Sequence, residues 1–174
     1  MILPLFGLLF AICGSSASAE ESGGLDIRID EKLIYCAATL KERDSGFIHA
    51  LKDGIPVTTV WNIQVDKIRE YWMNKAIAEI TLVRRVVPDL LSRSWILEDQ
   101  ASGISRKVYS MDAVGRFLTH LEYLPVLDRS LLAASTPYMM RVDVEMHTGE
   151  VNDGWWGNLL RPEQISMQKE FSLQ

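Results

Sequence analysis

The sequence predicts an all-β protein, an antiparallel β-sandwich of immunoglobulin-like or similar type that carries two short helices. Three observations lead there. Apolar and polar residues alternate in several runs, most cleanly Val57, Thr59, Trp61, Ile63 and Val65 against Thr58, Asn62, Gln64 and Asp66, the period of a half-buried strand. Turn-forming residues separate these runs at short intervals. Only two segments have the three- and four-residue spacing of an amphipathic helix, and strands do not alternate with helices as βαβ units would require.

Each element follows from local pattern. Leu25, Ile27 and Ile29 alternate with Asp26, Arg28 and Asp30, and Asp30-Glu31-Lys32 turns the chain into Leu33 to Leu40, giving an opening hairpin. Ser45 offers a side-chain acceptor for a short helix with Phe47, Ile48 and Leu51 on its apolar side, closed by Asp53-Gly54. Ile55-Pro56 restarts an extended chain, and in the strand from Val57 only Val60 breaks the polar side. Lys67 to Lys75 fits neither period and reads as a loop or strand crossing. Ala76 to Val87 is rich in β-branched residues, Pro88-Asp89 reads as a turn, and Leu91, Arg93, Trp95 and Leu97 form one face of the return strand. Ile104 to Tyr109 follows the Gly103 turn as a third strand. Ser110-Met111-Asp112-Ala113 opens a second helix along Val114, Phe117, Leu118 and Leu121, which Pro125 should end. Tyr138, Met140, Val142, Val144 and Met146 mark another amphipathic strand, and Ile165 to Leu173 the last.

Residues 1–19 read as a secretory signal. An apolar run from Ile2 to Ile12 gives way to small residues and to Ala17-Ser18-Ala19, the small-x-small pattern that sets cleavage after Ala19. Cys13 could instead mark a lipid-modified cysteine, but Ile12 before it is larger than such a site accepts. The expected organisation is a signal peptide over 1–19, a flexible polar leader over 20–24 and a single sandwich domain over 25–174, located in the periplasm or secreted. After cleavage no apolar segment of spanning length remains. The net charge of -5 argues against a phosphate-binding surface, so nucleic acid is not an expected partner. Cys36 is then the only cysteine and no internal disulfide can form; its strand-like surroundings favour a buried structural thiol over a reactive one.

No hydrolase elbow, P-loop, dinucleotide fingerprint or paired-cysteine zinc motif occurs, so no catalytic residue, cofactor or metal is expected. Glu145, His147, Glu150 and Asp153 are the nearest approach to a cation cluster, yet acidic residues around a Gly turn are ordinarily solvated. His49 and His120 sit in helical segments without a sequence-local catalytic partner. Arg69, Tyr71 and Trp72 form the expected partner-binding segment, because an irregular loop with Trp beside Arg has the composition of interface anchors. The competing reading is that the two rings cap the open end of the core. Trp155-Trp156, framed by Gly154 and Gly157, leaves the same choice between packing and a ligand or membrane-surface role.

Several segments together resemble a bacterial family known as domain of unknown function 4390. They are Leu33-Ile34-Tyr35, the junction from His49 to Val57 containing Gly54-Ile55-Pro56, the Trp61 strand, Arg69-Glu70-Tyr71-Trp72, the strand around Trp95, Ser110 to Ala113, and Tyr138 to Val142. The resemblance spans nearly all of the chain after residue 19 and is loosest toward the C-terminus. It implies an exported protein of a Gram-negative bacterium with no assigned activity and a link to envelope signalling. The expected function is therefore a non-enzymatic interaction module that binds another envelope protein. A small-ligand or lipid-binding domain using Trp155 and Trp156 is the alternative, and an uncharacterised hydrolase the third.

Overall fold

The computed structural model describes residues 23–41, 46–149 and 163–173. Nine strands build two antiparallel sheets, with strand order β1-β2-β7 in the smaller and β6-β5-β4-β3-β8-β9 in the larger. The strands are β1 (Gly23–Ile29), β2 (Leu33–Leu40), β3 (Val57–Lys67), β4 (Lys75–Asp89), β5 (Ser94–Asp99), β6 (Ile104–Val108), β7 (His120–Asp128), β8 (Pro137–Thr148) and β9 (Glu163–Ser172). Helix α1 (Gly46–Lys52) links β2 to β3 and helix α2 (Met111–Thr119) links β6 to β7. The sandwich class holds, although six strands facing three is not the immunoglobulin order.

The inward row expected of β3 is what the structure shows, although Thr58 and Asp66, expected on the outer side, are buried as well. Val57, Thr59, Trp61, Ile63 and Val65 are all fully buried. Their cross-strand neighbours carry the same inward row into β4 through Leu82 and Val86 and into β8 through Met140, Val142 and Val144. Two covers lie on this face. The small sheet supplies Ile34, Cys36, Ala38, Leu121, Val126 and Leu127 over Trp61, Ile63 and Val65. The helices supply Phe47, Leu51, Val114 and Leu118 over Val57, Val86 and Leu97. Each cover shields an apolar row that neither a lone hairpin nor a short helix could bury by itself.

Several boundaries differ from the sequence expectation. Gly23 and Gly24 are not leader: they pair with Leu40 and Thr39 in β1. A Cβ at Gly23 would stand 2.5 Å from the Thr39 carbonyl oxygen and 2.7 Å from Met167 Sδ, so close strand approach explains the glycine better than flexibility does. Pro88 and Asp89 belong to β4, opposite Trp95 and Ser94, and the turn lies at 90–93 with Arg93 at φ 49°. Beyond Val86 the strand has no β3 partner, so the missing proline N–H leaves no bond unmade on that side. Leu91 is accordingly fully exposed, not part of the β5 face.

Pro125 does not end a helix either. Helix α2 stops at Thr119 and His120 begins β7, with Leu121 buried as a strand residue. Pro125 sits opposite Tyr35 at a register shift on the edge strand of the small sheet, where a residue without an N–H is tolerated. The expected Ser45 cap of α1 lies outside the described residues, and Ser110 precedes α2 without a side-chain capping bond.

Trp61→Ala should cost about 3–5 kcal/mol in urea unfolding, since the ring fills the centre of the core. Cys36 is fully buried, and burial, reinforced by the Asp26 charge, pushes its pKa from 9.0 up to about 12. It should not react with a disulfide reagent until the protein unfolds. Because the fold holds the thiol protonated, that contribution to stability is complete below the ordinary value of 9.0 and fades as pH rises through about 12; alkaline denaturation compared with Cys36→Ala measures it.

Candidate functional site

Two regions stand apart from the packed framework, one at each end of the β3–β4 ribbon. The first is its hairpin tip. The ladder runs to Lys67 opposite Lys75, leaving residues 68–74 as the loop. Ile68 N–H donates to the Pro137 carbonyl at 3.1 Å and anchors the base of the loop to the start of β8. Just before it, Val65 pairs with Ala78 and Asp66 with Ala76, so Ile77 is an extra residue in β4 and the ribbon bends there. At the tip Tyr71 is 88% exposed, Trp72 79% and Met73 90%. Arg69 is exposed beside them. The two aromatic rings thus do not cap the sandwich core.

The second region surrounds Arg84. Its Cα lies opposite Thr59, and the alternation that buries Leu82 and Val86 places Arg84 on the inner face between them. There it reaches the seam where the small sheet gives way to the helices. Arg84 Nη1 donates to the Phe117 carbonyl at 3.0 Å and the His120 carbonyl at 2.6 Å, so a full positive charge meets the negative end of the α2 dipole. The guanidinium also lies 5.1 Å from the centre of the Phe117 ring. Its side chain is only 15% exposed, and Nε stands 3.8 Å from Asp99 Oδ2, too far for a hydrogen bond. Burial lowers the Arg84 pKa, opposed by the carboxylates of Asp99 and Glu122.

A cleft of about 590 Å3 opens beside this residue, lined by Arg84, Asp99, Arg106, Arg116, His120 and Glu122 around the apolar wall of Leu97, Val108 and Phe117. It exists because β6, the edge strand of the large sheet, extends past the helical cover that buries Leu97, and all of β6 except Val108 is exposed. Of the polar residues lining it, the sequence expectation singled out only His120, and not as a site. The available signal was Arg84-Arg85 inside an apolar strand: of two consecutive arginines in a half-buried strand, one must face inward.

Thr119 Oγ1 lies 2.8 Å from both the Gly115 carbonyl oxygen and His120 Nδ1. The carbonyl can only accept, so it takes the single hydroxyl proton and His120 Nδ1–H must donate to Thr119. The pair is therefore not a nucleophile with its base. Elsewhere His147 Nε2 is 3.5 Å from Glu145 Oε2, whereas Glu150 and Asp153 lie outside the described residues. Among the described residues no group of three or more His, Cys, Asp or Glu side chains could hold a metal ion. His49 stands in the last turn of α1. Trp155 and Trp156 also lie outside the described residues.

A family profile described as Domain of unknown function (DUF4390) matches residues 25–152. The chain belongs to the DUF4390 family. The match runs from Leu25 in β1 through β8, and with it the tip and the cleft, and stops before β9. No curated protein and no solved structure matches the chain. In this DUF4390 domain, among the described residues, no helix is long and apolar enough to cross a membrane.

Arg84→Leu keeps bulk but removes the donor to two carbonyls, and should cost about 1–3 kcal/mol in denaturant unfolding. Amide exchange should then speed up first at the α2–β7 junction.

Proposed function

We propose that this protein is an exported, non-enzymatic interaction module of the cell envelope that binds another envelope protein through its β3–β4 hairpin tip. The observation that carries this reading is the exposure of Tyr71, Trp72 and Met73 as three successive large side chains on one loop. Each aromatic ring in water forgoes on the order of 2 kcal/mol that burial would return. Rigid aromatic side chains lose little conformational entropy when a partner closes over them. Lys67, Arg69 and Lys75 surround the rings and Glu70 is the single acid among them, so the tip is basic on an acidic chain and favours a partner with an acidic rim. Export rests on the pattern of residues 1–19, and a role in envelope signalling is the finer form of the same proposal.

The alternative that Trp155 and Trp156 bind a small ligand or lipid has no geometry behind it among the described residues. Hydrolase activity finds no nucleophile–base pair at Thr119 and His120.

The test is a crosslinking pull-down of the exported protein from its native envelope, run beside the double variant Tyr71→Ala/Trp72→Ala and read by mass spectrometry. The thermal midpoint should stay within about 2 °C, since neither ring is packed, while the principal partner disappears. Retention of every native partner by the folded double variant overturns the proposal.

A further inference from the structure

We propose that the Arg84 cleft is a binding site for a small organic oxyanion, a carboxylate or a phosphate monoester, held by the guanidiniums of Arg84, Arg106 and Arg116. The starting point is the geometry of Arg84. Among the described residues both of its side-chain hydrogen bonds leave from Nη1 and end on carbonyls of the α2–β7 junction. Its Nε is buried and has no hydrogen-bond partner. Nε and Nη2 together form the side of a guanidinium that grips an oxyanion with two parallel bonds, and among the described residues neither finds an acceptor. A buried donor left in this way carries a desolvation cost that only an acceptor removes.

Asp99 forms an ion pair with that edge without a hydrogen bond, and one of its two oxygens is committed elsewhere. Its Oδ1 accepts from Ala101 N–H at 3.0 Å and Ser102 N–H at 3.2 Å, which fixes the β5–β6 turn. Oδ2 is left at 3.8 Å from Nε. Arg106 and Arg116 face the same cleft from β6 and α2, and among the described residues neither has a carboxylate within 4.0 Å. Three guanidiniums therefore stand against two carboxylates, Asp99 and Glu122, leaving the cleft net positive on a chain of net charge -5. Its size suits a metabolite-sized ligand rather than a polymer, and Leu97, Val108 and Phe117 give the ligand an apolar wall.

The test is nitrogen–proton NMR of the arginine Nε resonances of the protein during titration with inorganic phosphate and, separately, with hexanoate. Saturable shifts of the Arg84 Nε signal with at least one probe are expected, and the tighter probe tells phosphate from carboxylate. The double variant Arg106→Gln/Arg116→Gln changes only exposed side chains, so it should keep the thermal midpoint and bind about tenfold or more weakly. Asp99→Asn retains the carbonyl that caps the turn while removing the competing charge, and should tighten binding severalfold. The proposal is overturned if neither probe saturates, or if affinity is indifferent to both variants.

Discussion

The inward row of β3 is the constraint on which the rest of this structure depends. It exposes five side chains to burial, from Val57 to Val65, and continues sideways through β4 and β8, a wider apolar area than a three-stranded sheet can cover. The chain solves this with two covers of different kinds. The small sheet closes over the Trp61 end and the helices close over the Val57 end. Two of the three crossovers between sheets follow from that division: α1 carries the chain out of β2 into β3 and α2 carries it back from β6 into β7, while the third, from β7 to β8, uses neither helix. A seam between unlike covers is the consequence, and polar groups collect there. Among the described residues, the buried side-chain atoms without a partner are Thr59 Oγ1, Trp61 Nε1 and Arg84 Nε. Thr59 and Arg84 face each other across strands, and Trp61 is the next residue inward on the same face.

Arg84 shows why such a seam can be stable. An inward arginine on a central strand is costly unless its charge is met. Here two backbone carbonyls, a helix dipole and the Phe117 ring meet it. The same bonds fix where α2 becomes β7, because they hold the Phe117 and His120 carbonyls from the opposite sheet. The helix thus changes to strand within one residue without glycine or proline at the junction. A residue that would be an error in an idealised core instead fixes chain topology and brings positive charge to the cleft.

How much of this was legible in the sequence depended on whether the local signal and the tertiary context agreed. In β3 and β8 they agree, since a period-two pattern has no other use over so many residues. Pro88, Pro125 and Gly23-Gly24 misled for one reason. Each is a conventional turn or linker residue placed in a strand where its usual liability is absent: Pro88 beyond its β3 neighbour, Pro125 on an edge strand, and Gly23 where a backbone carbonyl leaves no room for Cβ. Arg69, Tyr71 and Trp72 could be placed in a loop by their failure to fit either period, yet exposure depends on hairpin length and on the Ile77 bulge, which pairing alone reveals. Arg84 was hidden by the rule that charged strand residues face water. Parity with Leu82 and Val86 outweighs that rule when both faces of the strand are partly enclosed.

The hairpin tip and the Arg84 cleft share the β3–β4 ribbon and lie at opposite ends of it. Eight steps along β3 separate Thr59, opposite Arg84, from Lys67, opposite Lys75, a span of roughly 26 Å at about 3.3 Å per residue. Between them the ladder is continuous apart from the Ile77 bulge, and Trp61 and Ile63 hold its inner face in the core. A packed ribbon of this kind positions both ends, and coupling between distant sites needs an element with two arrangements, which a continuous ladder does not supply by itself. Substitutions at the two ends should then add without interaction. The bulge is the one irregularity in the β3–β4 register, and it lies on the tip side of Trp61 and Ile63. Flexing there would re-aim Tyr71 and Trp72 while leaving Arg84 and its carbonyl partners where the seam holds them.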